Sequence, residues 1–249
     1  MRSTRPLRTG DPNDILYVSR RLAREIVQTS AAQHSLRSRL QPSLAMRGVG
    51  VTLGQQDSAN PFLMARQATR KIKDRTGRLT YPDRYVRGQA MIRCWHFPVL
   101  IGWEGTTNER VAVFVIDDDL PSSGRTFAMF IGSISNYRAY ASKPLRLGGF
   151  HPSDIRGFYR IVDSTLEPSD VPVDARLLAE ESELDDNGRC ETAFDLWGSH
   201  VDERTRYPVK LLDFLAQVHV HRWDFTFHRR EHYDTVILGA PIWLANPVL

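Results

Sequence analysis

The stretch at residues 110–137, RVAVFVIDDDLPSSGRTFAMFIGSISNY, decides the fold of this chain. It contains two apolar, β-rich runs at 111–116 and 126–131, and a Pro-Ser-Ser-Gly segment joins them. Apolar runs of this length that are bounded by turn residues predict two neighbouring strands in the centre of a sheet. Three aspartates follow the first run, and a Gly-Ser-Ile-Ser-Asn segment follows the second. We therefore expect any polar site at the ends of these strands.

Outward from this pair, the chain predicts further short strands and several helices. Strands are expected at 15–18, 48–53, 85–93, 99–103, 223–227 and 235–238. Helices are expected at 19–27, 58–75, 151–162, 174–183 and 207–218, and the last has the clearest amphipathic pattern in the C-terminal half. Strands and helices do not alternate strictly, as a doubly wound sheet requires. The sequence predicts an α+β fold, with a largely antiparallel central sheet flanked by helices from the N- and C-terminal parts.

Length and composition are those of a globular protein. The 249 residues are 41% apolar and 25% charged, which allows a substantial core. We expect residues 1–13, with three Arg and two Pro, to form a flexible basic tail and residues 14–249 to form a single α+β domain. Two cysteines are too few for a disulfide framework or a cysteine-built zinc site. No apolar run approaches the roughly 20 residues that span a bilayer, and no secretory signal is seen. A cytoplasmic location is expected.

Charge is distributed unevenly along the chain. Residues 1–93 contain 18 Lys and Arg against 6 Asp and Glu, a net charge of +12, and the remainder has a net charge of −8. Nine of the cations lie at 66–93, interleaved with Tyr81 and Tyr85. Such a segment is typical of surfaces that follow a phosphate backbone and stack on bases. The alternative is a solvated helix face balanced by the acidic region at 167–203 of the same chain.

Five motifs occur here in the order found in one known family. They are ILYVS at 15–19, YVRGQAMIRCW at 85–95, Gly132-Ser133, LLDFLAQ at 211–217 and VILGAPIWLA at 236–245. Together they resemble an uncharacterised family of actinobacterial proteins known mainly as a domain of unknown function. The cation usage, 29 Arg against 4 Lys, agrees with the high-GC genome that this resemblance implies. The resemblance implies no catalytic residue and no cofactor.

The preferred site lies at the end of the second central run. If a helix begins there, its free N–H groups and the side chains of Ser133, Ser135 and Asn136 form an anion pocket. Arg138 and Arg93 would supply the positive charge. The Gly-Lys-Ser/Thr of a phosphate-binding loop is absent. The alternative is that these residues only cap a helix.

Two segments suggest metal chemistry. Asp117, Asp118 and Asp119 follow a strand, where carboxylates hold Mg²⁺ in many hydrolases; the alternative is a solvated turn. Residues 228–232, HRREH, match the H-x-x-E-H zinc signature, but a helix has little room between two β-like runs, so a polar hairpin tip is favoured over zinc binding. His219 and His221 are expected to cap a helix or lie at the surface. No metal, cofactor or catalytic residue is predicted.

Three functions are weighed. The first is a non-enzymatic intracellular component of a multi-protein bacterial system, which binds a small anionic ligand or a protein partner near the ends of the central strands. The second is a metal-dependent hydrolase that uses the strand-end carboxylates. The third is a nucleic-acid-binding accessory protein that uses residues 66–93. No membrane association is expected, and the oligomeric state is left open.

Overall fold

A computed structural model describes residues 15–39, 60–101, 107–120, 124–137, 185–199 and 209–247. Several predictions fall outside these residues. They are the basic tail at 1–13, the strand at 48–53, the helices at 151–162 and 174–183, and the position of Arg138.

Within the described residues, seven strands form one sheet whose hydrogen bonds close into a ring. The strands are β1 (Ile15–Val18), β2 (Thr76–Gly77), β3 (Tyr85–Ile101), β4 (Thr107–Leu120), β5 (Gly124–Ser133), β6 (Val209–Thr226) and β7 (His232–Ala245). The ring runs β3–β4–β5–β7–β6 and returns to β3, and only the β5–β7 pair within it is parallel. Because β6 returns to lie beside β3, strands β3 to β6 form a Greek key. The largely antiparallel sheet predicted from the sequence is confirmed.

The inside of the ring is filled by side chains from all five of its strands. Phe130 of β5 and Phe214 of β6 meet with ring centroids 5.8 Å apart, although these two strands do not pair with each other. Their contact therefore crosses the interior. Phe114 and Ile92, from β4 and β3, belong to the same buried cluster. The ring is thus a packed core rather than a channel.

Three described helices pack against the strands. Helices α1 (Arg20–Arg39) and α2 (Pro61–Lys71) share a buried cluster with β1 and the second half of β7. Helix α3 (Asp186–Ser199) shares another with β4, β5 and the first half of β7. Within that cluster the rings of Phe194 and Phe227 stack with their centroids 4.0 Å apart, and the Phe127 ring contacts both of them edge-on. Each aromatic pair adds about 0.5–1.5 kcal/mol beyond burial. An α+β fold follows.

The helix predicted at 207–218 is wrong, because the described part of this segment, 209–218, is the first half of β6. Leu212 and Phe214 face the interior of the ring, whereas Leu215 lies in the cluster beneath α1 and α2. A strand that is buried on both sides has no strict alternation of apolar and polar residues. Its spacing therefore resembles that of a helix, and short apolar runs are ambiguous for this reason.

Two other boundaries also differ from the prediction. The strand expected at 85–93 and the described part, 99–101, of the one expected at 99–103 belong to the single strand β3. The segment 185–188, whose Asp, Asn and Gly residues are typical of turns, instead begins α3, where the Asp185 carboxylate accepts a hydrogen bond of 2.8 Å from the Gly188 N–H. Asp favours turns and helix N-caps for the same reason, which is that its side chain satisfies nearby N–H groups.

Helix α2 confirms the central part of the helix predicted at 58–75. Asn60 caps it by accepting a hydrogen bond from the Phe62 N–H, and Pro61 occupies the first turn, where no N–H partner is needed. A 3-10 turn, Lys73–Arg75, then leads directly into β2. None of the helices in the described part of the chain is long and apolar enough to cross a membrane.

Candidate functional site

Three of the predicted ligand-binding residues lie together after β5. They are Ser133, Ser135 and Asn136, which with Tyr17 we call the strand-end cluster. The segment Ile134–Asn136 is a single 3-10 turn rather than the start of a longer helix. The Ser133 hydroxyl bonds to the Ser135 hydroxyl at 2.7 Å and accepts from the Ser135 N–H at 3.3 Å. These groups cap the turn, which is the alternative that the sequence left open.

Tyr17 joins this cluster to the core. Its hydroxyl accepts a hydrogen bond from the Asn136 side-chain amide at 3.3 Å, and the side chain is fully buried. Burial raises the pKa of Tyr17 above its ordinary value, although the hydrogen bonds of Asn136 and the Ser133 backbone partly oppose this. The phenol therefore stays neutral. Gly132 lies against the same hydroxyl, and a Cβ there would overlap it. The amide of Asn136 is thus directed into the protein.

Arg93 lies elsewhere. It pairs with Val115 on β4, whereas Ser133 pairs with Val111 on the same strand. Four residues of β4 separate the two positions, which corresponds to about 13 Å along the strand. The Arg93 guanidinium instead lies over the ring of Trp197, 5.8 Å from its centroid. The structure therefore brings together Ser133, Ser135 and Asn136 but not Arg93.

Asp117 takes part in a polar network that contains Trp197. The Trp197 indole donates to one carboxylate oxygen at 3.4 Å, and the Tyr233 hydroxyl donates to the other at 2.9 Å. Burial, together with the negative charge of Asp117, raises the pKa of Tyr233. The phenol therefore keeps its proton and remains a donor. The network ties β4 to α3 and β7.

Arg125 and Glu231 complete this network. The Arg125 guanidinium pairs with the Glu231 carboxylate at 2.9 Å and lies over the Tyr233 ring, 4.1 Å from its centroid. Both oxygens of Asp117 are thus held by donors from α3 and β7, and one oxygen of Glu231 is held by Arg125 and Tyr233. Across the described residues no group of three or more His, Cys, Asp or Glu is arranged to hold a metal ion. The side chains of Asp118 and Asp119 lie outside the described residues.

The H-x-x-E-H segment forms the tip of the β6–β7 hairpin. The sequence favoured this structure over a zinc-binding helix. Arg230 has a φ of 64°, a turn conformation that no α-helix contains. His228 lies beside Glu191 of α3, whereas His232 lies 3.5 Å from Asp224 of β6. The two imidazoles therefore face different partners. The segment is a polar hairpin tip.

The exposed cations of the basic segment, unlike Arg125 and Glu231 of the Asp117 network, form no ion pair with a described residue. Its exposed cations lie on the end of α2, the 3-10 turn and the loop before β3, and we call them the basic surface: Arg70, Lys71, Lys73, Arg75, Arg78 and Arg84. None of them takes part in an ion pair found between described residues. Two acids, Asp74 and Asp83, lie in the same segment. The surface therefore keeps a clear excess of positive charge.

The acids of α3 do not balance this charge. Asp186 pairs with Arg189 at 3.3 Å and with Arg222 at 3.0 Å. Asp195 pairs with Arg229 at 3.1 Å. Within the part of 167–203 that the structure describes, the acids thus pair with cations of the C-terminal half. The alternative prediction was that the acids of 167–203 neutralise the basic segment. The described acids of this region do not do so.

Two exposed aromatic side chains, Tyr81 and Trp223, border the basic surface, and we call them the aromatic pair. Tyr81 is 78% exposed and Trp223 is 49% exposed, and their ring centroids lie 5.9 Å apart. Reciprocal backbone hydrogen bonds join Tyr81 to Arg78 in a tight turn, so the two residues are adjacent in the backbone. Tyr85, the other tyrosine of this segment, is buried instead.

Trp223 is not among the site residues that the sequence predicts. A signal was present, since the residue is surrounded by polar and charged neighbours in HVHRWDF at 219–225. Whether such a tryptophan is exposed depends on how β6 pairs with its neighbouring strands, and no local sequence pattern shows this pairing.

Comparisons of this chain with protein-family models, curated proteins and solved structures find no match. The resemblance to an actinobacterial family stays a prediction. Function is therefore inferred from geometry alone. The described surface offers two distinct arrangements: a strand-end cluster whose polar groups bond to one another, and a basic surface whose cations project into solvent beside two exposed rings.

Proposed function

We propose that this chain is a non-enzymatic nucleic-acid-binding protein, with the basic surface as its phosphate-binding site. One observation carries the proposal. Six exposed cations within residues 70–84 make no ion pair with another described residue, while the acids of α3 pair with other cations. Charges that no described residue neutralises are available to a polyanion.

The shape of the segment supports binding to an extended partner. The cations are spread over the end of α2, the 3-10 turn and the segment between β2 and β3, and these parts follow one another without a long connection. Both α2 and β2 are fixed to the ring of strands, because α2 packs on β1 and β7 and β2 pairs with β3. A rigid row of cations suits a chain of regularly spaced phosphates, since binding then releases several counterions at once.

The other hypotheses receive less support. A small-anion pocket after β5 would need the polar groups of Ser133 and Asn136, which are bonded within the protein. A metal-dependent hydrolase would need Asp117, whose two oxygens accept from Trp197 and Tyr233. The proposed cytoplasmic location agrees with the free state of both cysteines, Cys94 and Cys190.

The direct test is binding of a fluorescent oligonucleotide at several salt concentrations. The variant Arg70→Gln, Arg75→Gln, Arg78→Gln removes three charges from the basic surface. The control, Arg229→Gln with Arg230→Gln, removes charge from the hairpin tip. We expect the first variant to bind at least tenfold more weakly and to lower the slope of log K against log salt by about 2, since each phosphate contact contributes about 0.7–0.9.

The proposal fails if the unmodified protein binds no strand at low salt. It also fails if the hairpin-tip control weakens binding as much as the basic-surface variant does, because the effect would then reflect net charge alone. Circular dichroism of each variant shows that the fold is retained.

A further inference from the structure

The aromatic pair is unusual among the described residues. Of all their Phe, Tyr and Trp side chains, only Tyr81 and Trp223 are strongly exposed. The two come from separate parts of the chain, the turn before β3 and the second half of β6, yet they are in contact. Two scattered surface aromatics need no explanation. Two exposed aromatic side chains that contact each other beside several cations do need an explanation.

The backbone of β6 is irregular on both sides of Trp223. Its pairing with β7 shifts register between Val218 and Val220, and Asp224 has a φ of 51°. Bulges re-aim the side chains that follow them, and a positive φ in a residue other than glycine is strained. One irregularity precedes Trp223 and the other follows it directly. Together they would turn its ring outward.

His221 supports the indole ring from behind. Its imidazole meets the ring of Trp223 edge-on, with centroids 4.3 Å apart. Its Nε2 atom is shielded from solvent and has no hydrogen-bond partner in the structure. The imidazole therefore acts as an apolar support for Trp223, and Tyr81 contacts Trp223 as well.

We propose that the nucleic acid bound by this protein is single-stranded, and that unpaired bases stack on Tyr81 and Trp223 while the basic surface holds the adjacent phosphates. This rests on the proposed function and specifies its substrate class. In a duplex the base faces are covered by neighbouring bases, so exposed rings find nothing to stack on. In a single strand every base offers a face, and stacking on an aromatic side chain tolerates any sequence.

The position of the cations fits this assignment. Arg78 is joined to Tyr81 by the turn, and Arg84 lies three residues after it. Bases on the rings would therefore have their phosphates beside these guanidinium groups. Arg222, next to Trp223 in the chain, is already bound by Asp186 and Asn187. The cations that are free to meet phosphates lie on the Tyr81 side.

The test compares three probes that carry similar charge. They are oligo(dT) of about 15 nucleotides, within the range of single-strand sites, an abasic strand of the same length, and a duplex. We expect oligo(dT) to bind about 5- to 150-fold more tightly than the abasic strand, which is the range for stacking of one base on an aromatic side chain. Tyr81→Ala and Trp223→Ala should each reduce this preference and leave abasic and duplex binding unchanged.

Trp223→Phe should retain most of the preference, because a phenyl ring also stacks. Intrinsic fluorescence, measured in a Trp103→Phe background, gives a second readout, since the described tryptophans other than Trp223, which are Trp95, Trp197 and Trp243, are buried. Quenching by oligo(dT) should be largely lost in Trp223→Phe.

The outcomes separate the two proposals. If all three probes bind equally, or if the aromatic variants leave a preference for oligo(dT) intact, stacking on this pair is wrong and the phosphate-binding function stands. If none of the probes binds, the proposed function is wrong and the stacking assignment fails with it. If Arg78→Gln weakens all three probes alike while Trp223→Ala weakens only oligo(dT), both proposals hold.

Discussion

The strand-end cluster and the basic surface contain the residue types that binding sites use, but their groups have opposite surroundings. In the cluster, the Ser133 hydroxyl bonds to the Ser135 hydroxyl, and the Asn136 amide donates to the Tyr17 hydroxyl. On the basic surface, cations such as Arg75 and Arg78 pair with no described residue. Composition alone made the cluster the better candidate. Internal hydrogen bonding reverses that order, since a group with an internal partner must lose it before it can bind a ligand.

The largest effect is expected from Gly132→Ala in the strand-end cluster. The added Cβ would overlap the Tyr17 hydroxyl within the core, and overpacking of a buried site is destabilising. We expect the free energy of unfolding to fall by about 3 kcal/mol, measured by urea denaturation. Adding Tyr17→Phe should restore part of the loss, because it removes the overlapping oxygen. A full-stability Gly132→Ala protein would mean that the end of β5 is open enough for a ligand.

The Asp117 network is expected to show the next largest effect. Tyr233→Phe removes a hydrogen bond to a charged acceptor, which is worth about 1.5 kcal/mol. The matched control is Tyr81→Phe, since Tyr81 is exposed and its hydroxyl bonds to no described residue. That control should stay within about 0.5 kcal/mol of the unmodified protein. Equal stability of the two variants would remove the structural role given to Asp117.

High pH tests the buried tyrosine. The pKa of Tyr17 is raised above 10.0 by burial in the folded protein, so the folded state holds its proton more tightly than the unfolded chain does. Stability is therefore complete below pH 10 and falls as pH rises through the folded pKa, by about 1.4 kcal/mol per pH unit for this group. Tyr17→Phe should flatten the decline in urea midpoints measured from pH 9 to 11. An unchanged decline would show that other groups cause it.

The smallest effect on stability is expected from Asn136→Ala, which removes one neutral hydrogen bond to Tyr17 and should cost about 1 kcal/mol. A double-mutant cycle with Tyr17→Phe isolates the pair. If the two losses simply add, the bond between Asn136 and Tyr17 contributes nothing.

Much of the fold was predictable because it depends on short-range patterns. The turn between the runs at 111–116 and 126–131 predicted the β4–β5 pair, and the antiparallel sheet followed from the short connections. The segment 207–218 was predicted as a helix because β6 is buried on both faces there, which removes the alternation that marks a strand. Ring closure also lay beyond local patterns, since β6 returns to β3 from a distant part of the sequence.

The candidate site was predictable only in part. The clustering of cations at 66–93 is visible in the sequence and correctly indicated a basic surface. Its partner Trp223 was not identifiable, because the contact with Tyr81 depends on long-range pairing. Arg93 was misleading for a similar reason. Its side chain is of the type that an anion pocket needs, but the strand register places it about four residues away from Ser133.

The central claim is that the basic surface, and not the strand-end cluster, is the binding site. The most direct measurement is the affinity for a labelled single strand at low salt, taken for two variants under identical conditions. Asn136→Ala should bind as the unmodified protein does, whereas the variant Arg70→Gln, Arg75→Gln, Arg78→Gln should bind at least tenfold more weakly. Weakened binding by Asn136→Ala with unchanged binding by the arginine variant would contradict the account.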